Sequence, residues 1–383
     1  MRIYWYWPFV RSEELGVGNE LLRCGHDVTL HTIRGRIAGA TSHDPTPRTD
    51  GPQIHIDDSV PAVPQKSEGG ARWLATRATT YPRRALNRHT TVKRGGFDVA
   101  HIVYLNYFTD GLSLARLGRR APLVCTVHDV VPHQARVPSR VERTLLAAQY
   151  RSAGTIVVHH PSVGTRLTAE FDVDPQRIHF VPWAVPEVGA YPTQDADRPA
   201  QPDDGICTVL LFGTLRRNKG VEVLLAAMQL LNAPSIRLVV AGRGFADIEA
   251  LVTDAAARDS RISACIGYVT EQEKAKLYRA SDVVVLPYTT FSSQSAVLHD
   301  AYSHHLPVIA SDVGALGDSV REDATGWVIH PSDPQQLASA LEIAAASPAM
   351  RQAFGSASAQ VAQDRSPAKV TQVLQQVYDR VRR

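Results

Sequence analysis

The sequence has few cysteines, no long apolar run and no excess of either charge, and each shortage excludes a class of protein. Its 383 residues include four cysteines, far apart and without a CxxC pair: Cys24, Cys125, Cys207 and Cys265. This spacing fits neither a disulfide framework nor a zinc ribbon. We therefore interpret all four as small, buried apolar residues in a reducing compartment.

The sequence also lacks a candidate membrane span and a large net charge. No apolar run approaches about 18 residues, and the first residues lack the basic head, apolar stretch and cleavage site of a signal peptide. We expect a cytoplasmic protein that at most makes peripheral contact with a membrane. Lys and Arg total 41 against 38 Asp and Glu, a net charge of +3, so no overall field attracts nucleic acid. An anionic partner must be bound locally.

What is present is an alternation of short β-branched segments with amphipathic helical stretches, which is typical of parallel α/β layers. It occurs twice, so we predict two Rossmann-like, doubly wound sheets. In the first half we expect strands near Arg2–Trp7, Asp27–Thr32, Val99–Val103, Leu123–Val127, Thr155–Val158 and Ile178–Val181. In the second half we expect them near Thr208–Phe212, Arg237–Ala241, Asp282–Leu286, Pro307–Ala310 and Gly326–Ile329.

Proline-rich segments predict the boundaries. Pro186–Pro202 reads as an interdomain linker with a cut near residue 190, and Ala38–Asp58 as a long surface loop. The expected domains are residues 1–188 and 203–365, followed by a final helix over 366–383. Apolar residues at spacings of three and four predict the face through which that helix docks: Val370, Val373, Leu374, Val377, Tyr378 and Val381.

The first candidate site is the turn after the Thr208–Phe212 strand. Gly213 and Gly220 bracket a basic stretch in which Arg216 and Lys219 suit phosphate oxygens at the carboxyl end of a parallel strand. A solvated basic turn is the alternative. After the next strand, Gly242-Arg243-Gly244 is half of a dinucleotide fingerprint, and the missing third glycine argues against a nicotinamide or flavin enzyme.

The second candidate is the serine-rich segment before a predicted helix. Backbone N–H groups near Ser293, Gln294 and Ser295, with the positive end of the helix dipole, favour an anion. Ordinary N-capping by serine explains the same residues equally well. Asp300, eight residues after Ser292, suits ligand hydroxyls, and an exposed helix carboxylate is its alternative.

Several further motifs leave two interpretations open. His128 follows a predicted strand, and it is interpreted either as a ligand contact or as a hydrogen-bonded histidine packed in a loop. The loop Arg11–Asn19, with Gly16, permits close approach of a ligand or forms an ordinary turn. The basic stretch Arg72–Arg94 is a contact for anionic lipid or a phosphate-bearing acceptor, or a solvated face. Asp172-Val173-Asp174 is interpreted as a surface turn, and the pairs His159-His160 and His304-His305 as structural or surface residues without a zinc site.

Together these segments resemble the retaining glycosyltransferases of family 4, which have the GT-B fold. In the second half the resemblance rests on Lys219-Gly220, Leu238–Gly244, Gly267–Val269 with Asp282–Tyr288, and Pro307–Ser311 leading to Gly326. In the first half it rests on Met1–Ile3, Gly25–Val28, Thr126–Asp129 and Val181-Pro182.

The resemblance implies two domains facing a cleft, a final helix that crosses back to the first domain, and a metal-independent hexosyl-type transferase. The sugar would move with retention from a nucleotide diphosphate donor, UDP or GDP type, to a hydroxyl or amine of a small-molecule, glycan or lipid-linked acceptor. Lys219, Arg216 and His128 would be catalytic. Donor-binding positions would be Gly16, Gly213, Gly242, Val269, Ser293, Gln294, Ser295 and Asp300. No cofactor or metal is expected.

Two positions depart from the family pattern. Thr214 stands where the family usually has an arginine, and Ser292 stands at the first glutamate of its E-x7-E pair. The Gln294-Ser295 turn resembles one branch of the family with a Gln-Ser turn there. These departures motivate a second hypothesis, a catalytically inactive sugar-nucleotide-binding or scaffold protein. A GT-B nucleotide-sugar epimerase is a third.

Overall fold

The structure is a computed structural model that describes residues 1–7, 12–33, 54–60, 71–105, 110–131, 139–187, 205–291 and 294–382. These residues form two compact units. Unit 1 comprises Met1–Ala184 with Pro367–Arg383, and unit 2 comprises Val185–Ser366. The predicted cut near residue 190 lies outside the described residues. No helix among those described is both long and apolar enough to cross a membrane.

Unit 1 is built on a seven-stranded parallel sheet in the order β3-β2-β1-β4-β5-β6-β7. The strands are β1 Arg2–Tyr6, β2 Asp27–Ile33, β3 Ile54–Val60, β4 Val99–Ile102, β5 Leu123–Thr126, β6 Thr155–Val158 and β7 Ile178–Phe180. The helices between them are α1 Ser12–Arg23, α2 Ala71–Gly95, α3 Asp110–Leu117, α4 Ser139–Ser152 and α5 Pro161–Phe171. All residues of β4 and β5 are buried, as expected of central strands covered on both faces.

Unit 2 repeats this plan on a six-stranded parallel sheet in the order β10-β9-β8-β11-β12-β13. Its strands are β8 Cys207–Phe212, β9 Ile236–Gly242, β10 Ile262–Ile266, β11 Val283–Leu286, β12 Val308–Ser311 and β13 Gly326–Ile329. Its helices are α6 Val221–Leu230, α7 Ala246–Arg258, α8 Glu271–Arg279, α9 Ala296–Ser303, α10 Gly314–Glu322, α11 Pro334–Ala346 and α12 Pro348–Asp364. The prediction of two doubly wound parallel sheets is therefore confirmed.

The final helix, α13 Pro367–Arg382, packs on unit 1 through the predicted face. Val370, Leu374 and Val377 are each 4% exposed, and Tyr378 is fully buried. The Tyr378 hydroxyl accepts a hydrogen bond from Trp5 Nε1 at 2.8 Å and lies 2.7 Å from His101 Nδ1. The helix is thus tied to β1 and β4 by hydrogen bonds as well as by apolar contact.

Three sequence predictions about local structure were wrong or incomplete. The predicted loop Ala38–Asp58 contains β3, an edge strand whose Ile54 and Ile56 pair with Val28 and Leu30 of β2. Most of that loop lies outside the described residues. Strand β10 was missed because Ile262–Ile266 carries polar residues within a short edge strand. Within the predicted loop Arg11–Asn19, residues Ser12–Asn19 are helical, because α1 begins at Ser12.

The basic stretch and the cysteines also differ from expectation. Arg72–Arg94 is helical, and one of its cations, Arg88, is 2% exposed rather than solvated. Arg88 forms an ion pair and hydrogen bond with the buried Asp110 and lies over the Tyr6 ring, 4.5 Å from its centre. Among the cysteines, Cys125 and Cys207 are buried as predicted. Cys24 and Cys265 are exposed because they lie at the end of α1 and on the edge strand β10.

Candidate functional site

The predicted donor-side residues of unit 2 lie at the carboxyl ends of neighbouring strands. The turn after β8 begins at Gly213, whose φ is +117°, and continues through Arg216 into a short 3-10 helix, Arg217–Lys219. Gly220 closes the turn with a φ of +67°, and a Cβ there would lie 1.8 Å from the carbonyl oxygen of Pro287. Glycine at 220 therefore lets the turn pack directly against the segment that follows β11.

Lys219 is held against aromatic side chains of that segment. Its Nζ donates a hydrogen bond to Tyr288 Oη at 2.5 Å and lies 3.8 Å from the centre of the Tyr288 ring and 5.6 Å from that of Phe291. Tyr288 is 1% exposed, and its hydroxyl is 2.9 Å from Ser295 Oγ. Burial raises the pKa of Tyr288, so the phenol is neutral near pH 7. One neutral hydroxyl thus connects the Lys219 ammonium group to Ser295.

Ser295 stands at the start of α9, but its side chain makes no capping hydrogen bond to that helix. The capping explanation is therefore wrong for this side chain, which contacts Tyr288 instead. Gln294 is 6% exposed, and its Nε2 donates to Ser319 Oγ at 3.0 Å, which fixes the residue before Ser295. Ser292 and Ser293 lie outside the described residues. The structure brings Lys219 and the positive end of the α9 dipole together.

The two arginines of the turn are in different situations. Arg217 forms an ion pair with Asp247, and both side chains are exposed. Arg216 is exposed, and its side chain has no hydrogen bond or ion pair with any residue that the structure describes. Arg216 therefore keeps its charge available to an anion, whereas Arg217 is already matched by a carboxylate.

Asp300 is half-buried and forms an ion pair with Lys274. Its side chain is 14% exposed, and Oδ1 lies 3.3 Å from Lys274 Nζ, which also contacts Glu271 Oε2 at 2.8 Å. Burial alone would lower the pKa of Lys274, but the two carboxylates outweigh it and the pKa is raised. The alternative of an exposed helix carboxylate is therefore wrong for Asp300. Its interaction with a ligand hydroxyl stays a prediction.

Strands β9 and β10 contribute backbone turns and two exposed aromatic rings. Gly242 ends β9 with a φ of +136°, and a Cβ there would lie 1.9 Å from the carbonyl oxygen of Gly213. Val269 is half-buried in the turn after β10. The same two turns present Phe245 and Tyr268, which are 47% and 79% exposed. Both rings are thus exposed at the carboxyl ends of the adjacent strands β9 and β10.

In unit 1, His128 follows β5 and lies within a cluster of rings. It stacks on Tyr104, with ring centres 4.9 Å apart, and its ring centre is 5.1 Å from His159 and 5.2 Å from Trp183. Burial lowers the pKa of His159 to about 4, and its Nδ1 is 2.9 Å from the carbonyl oxygen of Val181. His128 is therefore surrounded by aromatic and imidazole rings.

Gly16 lies inside α1, where a Cβ would approach Pro367 Cγ to 2.8 Å. The close approach that this glycine permits is thus made by the first residue of α13. Contact between Gly16 and a donor diphosphate stays a prediction.

The remaining motifs have structural roles. Asp172 ends α5 with a φ of +54°, and Asp174 Oδ1 accepts from the backbone N–H of Gln176 at 2.9 Å, so the DxD is a surface turn as predicted. His160 caps α5 by accepting from the N–H of Ser162 at 3.2 Å. His304 stacks on Tyr278, with ring centres 4.8 Å apart.

The sequence interpretation did not assign roles to Tyr288 and Lys274. Tyr288 stands two residues after β11, at the carboxyl end of the strand, which is a usable signal for a site residue. Lys274 lies on α8, twenty-six residues from Asp300, and only the packing of α8 against α9 reveals the pair. Neither partner's sequence context indicates the other.

Two family profiles match the chain. One described as Glycosyl transferases group 1 covers residues 207–346, and one described as Glycosyl transferase 4-like domain covers residues 15–184. The first corresponds to the sheet of unit 2 and the second to most of unit 1. Together they cover the sheet of unit 2 and every strand of the unit 1 sheet except β1.

Two relatives agree with these profiles. GDP-mannose:glycolipid 4-beta-D-mannosyltransferase of Xanthomonas campestris pv. campestris is 31% identical over 54% of this chain and 55% of its own length. D-inositol 3-phosphate glycosyltransferase of Pseudarthrobacter chlorophenolicus is 30% identical over 70% of this chain and 67% of its own length. The chain thus spans from about half to about two thirds of these relatives.

Solved structures show the fold over the whole chain. Sucrose-phosphate synthase from Thermosynechococcus elongatus has a TM-score of 0.73 at 20% identity, covering 100% of this chain and 99% of that one. Anabaena HepE in complex with UDP-glucose has a TM-score of 0.70 at 15% identity, covering 99% and 100%. By its domain profiles, by the inositol phosphate glycosyltransferase relative and by its two parallel sheets, the chain belongs to the group 1 glycosyltransferases of the family 4 type and has the GT-B fold.

Proposed function

We propose that the protein transfers a sugar from a nucleoside diphosphate donor to an acceptor hydroxyl or amine. The observation that carries the proposal is the Lys219–Tyr288–Ser295 arrangement at the start of α9, with Arg216 on the same turn. Two cations and a helix amino terminus at the carboxyl ends of parallel strands suit a diphosphate. Membership in the family supports the same activity.

The chemistry assigns these groups a role in stabilising the leaving group. The bond from the anomeric carbon to the phosphate oxygen breaks, and its electron pair stays on the phosphate. The acceptor oxygen or nitrogen forms the new bond to the anomeric carbon, and its proton passes to the departing phosphate. Because negative charge grows on the departing phosphate, a cation held in place by Tyr288 lowers the barrier more than it tightens ground-state binding. His128 is proposed to contact the donor sugar.

The donor base is a separate question. One relative is named for GDP-mannose, and one structural neighbour holds UDP-glucose. In this chain the exposed rings of Phe245 and Tyr268, together with Gly242 and Val269, offer a surface for either base. We propose a purine or pyrimidine nucleoside diphosphate hexose, to be identified by a thermal-shift panel of UDP and GDP sugars.

Retention is proposed on the resemblance to the retaining family and its Gln-Ser branch, with Gln294 and Ser295 in the turn. The name of the mannosyltransferase relative specifies a beta product, so the anomeric outcome needs a direct measurement. Proton NMR of the first product formed from an alpha-linked donor should show an alpha linkage. A beta linkage would contradict retention and leave the transferase proposal standing.

Metal independence is proposed because fixed protein cations stand where a divalent ion would otherwise neutralise the diphosphate. Excess EDTA should leave transfer nearly intact. Complete loss, restored by manganese or magnesium, would contradict this part of the proposal.

The basic helix α2 supports the proposal of peripheral membrane contact. Its sequence contains no acidic residue, and Arg83, Lys93 and Arg94 are exposed along one face with Leu86, which is 63% exposed. Cosedimentation with vesicles containing an anionic lipid should exceed that with neutral vesicles and fall when the three cations are replaced by glutamine. Replacing the exposed Arg116, Arg119 and Arg120 removes the same charge elsewhere and should have a smaller effect.

Transfer itself is tested with purified protein, a donor panel and mixed acceptors. Nucleoside diphosphate release that depends on acceptor supports the transferase. Donor binding without any turnover would favour the inactive binding or scaffold protein, and recovery of an isomeric nucleotide sugar would favour the epimerase.

A further inference from the structure

One face of the unit 1 sheet contains a hollow that the donor chemistry does not use. It is small, lies between the carboxyl halves of the strands and α13, and is open on one side. Trp5, Trp7, Val103 and Trp183 are among its walls, each less than 9% exposed. Of its lining residues only His128, His159 and Pro182 are half-buried, so the hollow opens beside His128.

The lining carries no charged side chain among the residues that the structure describes. His101 is neutral because burial lowers its pKa to about 3, and both its nitrogens are engaged: Nδ1 is 2.7 Å from Tyr378 Oη, and Nε2 is 2.8 Å from Thr126 Oγ1. His159 is held by the Val181 carbonyl oxygen. A phosphate or a sugar polyol would form few hydrogen bonds here and would be costly to bury. An apolar group would be favoured, because its burial removes apolar surface from water.

The wall includes a buried indole N–H group. Trp7 is 2% exposed, and its Nε1 has no hydrogen-bond partner among the described residues. A buried N–H without an acceptor is costly, and such groups are rare in folded proteins. An oxygen at the edge of a bound apolar group would satisfy it.

We propose that this hollow binds an apolar group of the acceptor, an aryl or alkyl substituent joined through an ether or ester oxygen that accepts from Trp7. The proposal rests on the proposed transferase function, since it names the class of acceptor. It places that substituent next to His128, the residue expected to contact the donor sugar. The acceptor is then a hydroxyl compound with an apolar substituent, rather than a free polyol.

The test compares two glucosides that differ only in their aglycone, phenyl β-D-glucopyranoside and methyl β-D-glucopyranoside, by calorimetry with the full chain. The phenyl compound should bind at least about tenfold more tightly, because a buried ring adds a large apolar area. Val103→Phe should fill the hollow and abolish that preference, with folding checked by circular dichroism and melting temperature.

A shape-conserving variant keeps the test decisive if Val103→Phe does not fold. Trp7→Phe keeps an aromatic ring but removes the N–H, and it should weaken phenyl glucoside binding by about threefold. The matched control is Trp327→Phe in unit 2, where the indole N–H also lacks a partner among described residues. That variant should bind like the wild type.

Equal affinity for the two glucosides, or unchanged phenyl glucoside binding in folded Val103→Phe or in Trp7→Phe, would overturn the proposal. Failure of the transferase function is distinguishable, because the binding measurement needs no donor. Preferred binding of the phenyl compound without transfer to any acceptor would support the binding site and contradict the transferase function. Transfer to polyols with no preference for the phenyl compound would support the transferase function and contradict the binding site.

Discussion

Strand ends in unit 2 carry cations, hydroxyl groups and a helix amino terminus, whereas those in unit 1 carry indole and imidazole rings. Each unit also holds a cation over a tyrosine ring. Arg88 lies over Tyr6 and is paired with a buried carboxylate, Asp110, while Lys219 lies over Tyr288 and donates to its neutral hydroxyl. The first cation is paired with a carboxylate within the fold, and the second donates to a neutral hydroxyl. On the proposed function, the same type of contact serves structure in unit 1 and chemistry in unit 2.

The largest expected difference between the units is in acid. Burial lowers the pKa of His31 and His159 to about 4 and that of His101 to about 3, all in unit 1. Below pH 6.5 these histidines are protonated in the unfolded chain but stay neutral in the folded protein. Each therefore lowers the free energy of unfolding by about 1.4 kcal/mol for every pH unit between 6.5 and its folded pKa. We expect unit 1 to lose several kcal/mol between pH 6.5 and 4.

Tryptophan fluorescence can follow this loss, because four of the five tryptophans are in unit 1 and Trp327 alone is in unit 2. In unit 2, burial lowers the pKa of His304, whereas unit 1 holds the three strongly lowered pKa values named above. Hydrogen exchange at pH 4.5 should therefore show earlier opening of unit 1. Equal acid sensitivity of the two units would contradict the comparison.

The Arg88–Asp110 pair should have the next largest effect. Asp110→Ala leaves a buried guanidinium group without its carboxylate, which should cost about 3 to 5 kcal/mol in the free energy of unfolding by urea. The double variant Arg88→Met with Asp110→Leu removes both charges and should lose clearly less. A double variant as unstable as the single one would mean that shape, rather than charge, holds this site.

Lys219→Ala tests the chemical cation. It should lower kcat by about a hundredfold to a thousandfold, because charge on the leaving phosphate is no longer stabilised. The melting temperature should change little, since the lysine is partly exposed. Arg217→Ala in the same turn is the matched control and should keep near wild-type turnover. If Lys219→Ala turns over as fast as this control, Lys219 does not belong to the site.

Asp300→Asn should raise the donor dissociation constant by about tenfold, because the amide lacks the charge and part of the acceptor capacity of the carboxylate. Glu271→Gln removes the other carboxylate that contacts Lys274 and leaves Asp300 in place. If Asp300→Asn lowers only the melting temperature and donor affinity holds, Asp300 serves Lys274 alone.

Tyr288→Phe should have the smallest effect. The ring under Lys219 is kept and only the hydroxyl between the lysine and Ser295 is lost, so we expect kcat to fall about threefold to tenfold with little change in donor KM. Tyr302→Phe removes a buried hydroxyl that contacts Asp323 and Thr325 in the same unit, and should affect stability without changing kcat.

The sequence predicted most of what depends on local pattern. The central strand Thr155–Val158 has the predicted bounds, because a central parallel strand is short and apolar throughout. The edge strand Gly326–Ile329 was also predicted with its correct bounds, whereas the edge strands β3 and β10 were missed because their exposed faces interrupt the apolar pattern. Lys219 and Ser295 were found from their positions after strands. Their connection through Tyr288, the burial of Arg88 and the Lys274–Asp300 pair depend on packing between distant segments, which no local pattern specifies.

The chain leaves unit 1 after Ala184 and returns to it at Pro367, and the backbone N–H of Val185 donates to the carbonyl oxygen of Arg365 at 2.8 Å. In gene-engineering terms, residues 185–366 are an inserted domain whose two ends are adjacent. One continuous gene segment therefore encodes unit 2 with both termini side by side. Unit 1 is encoded by two separate segments, so expressing it alone with α13 requires residue 184 to be joined to residue 367 through a short linker.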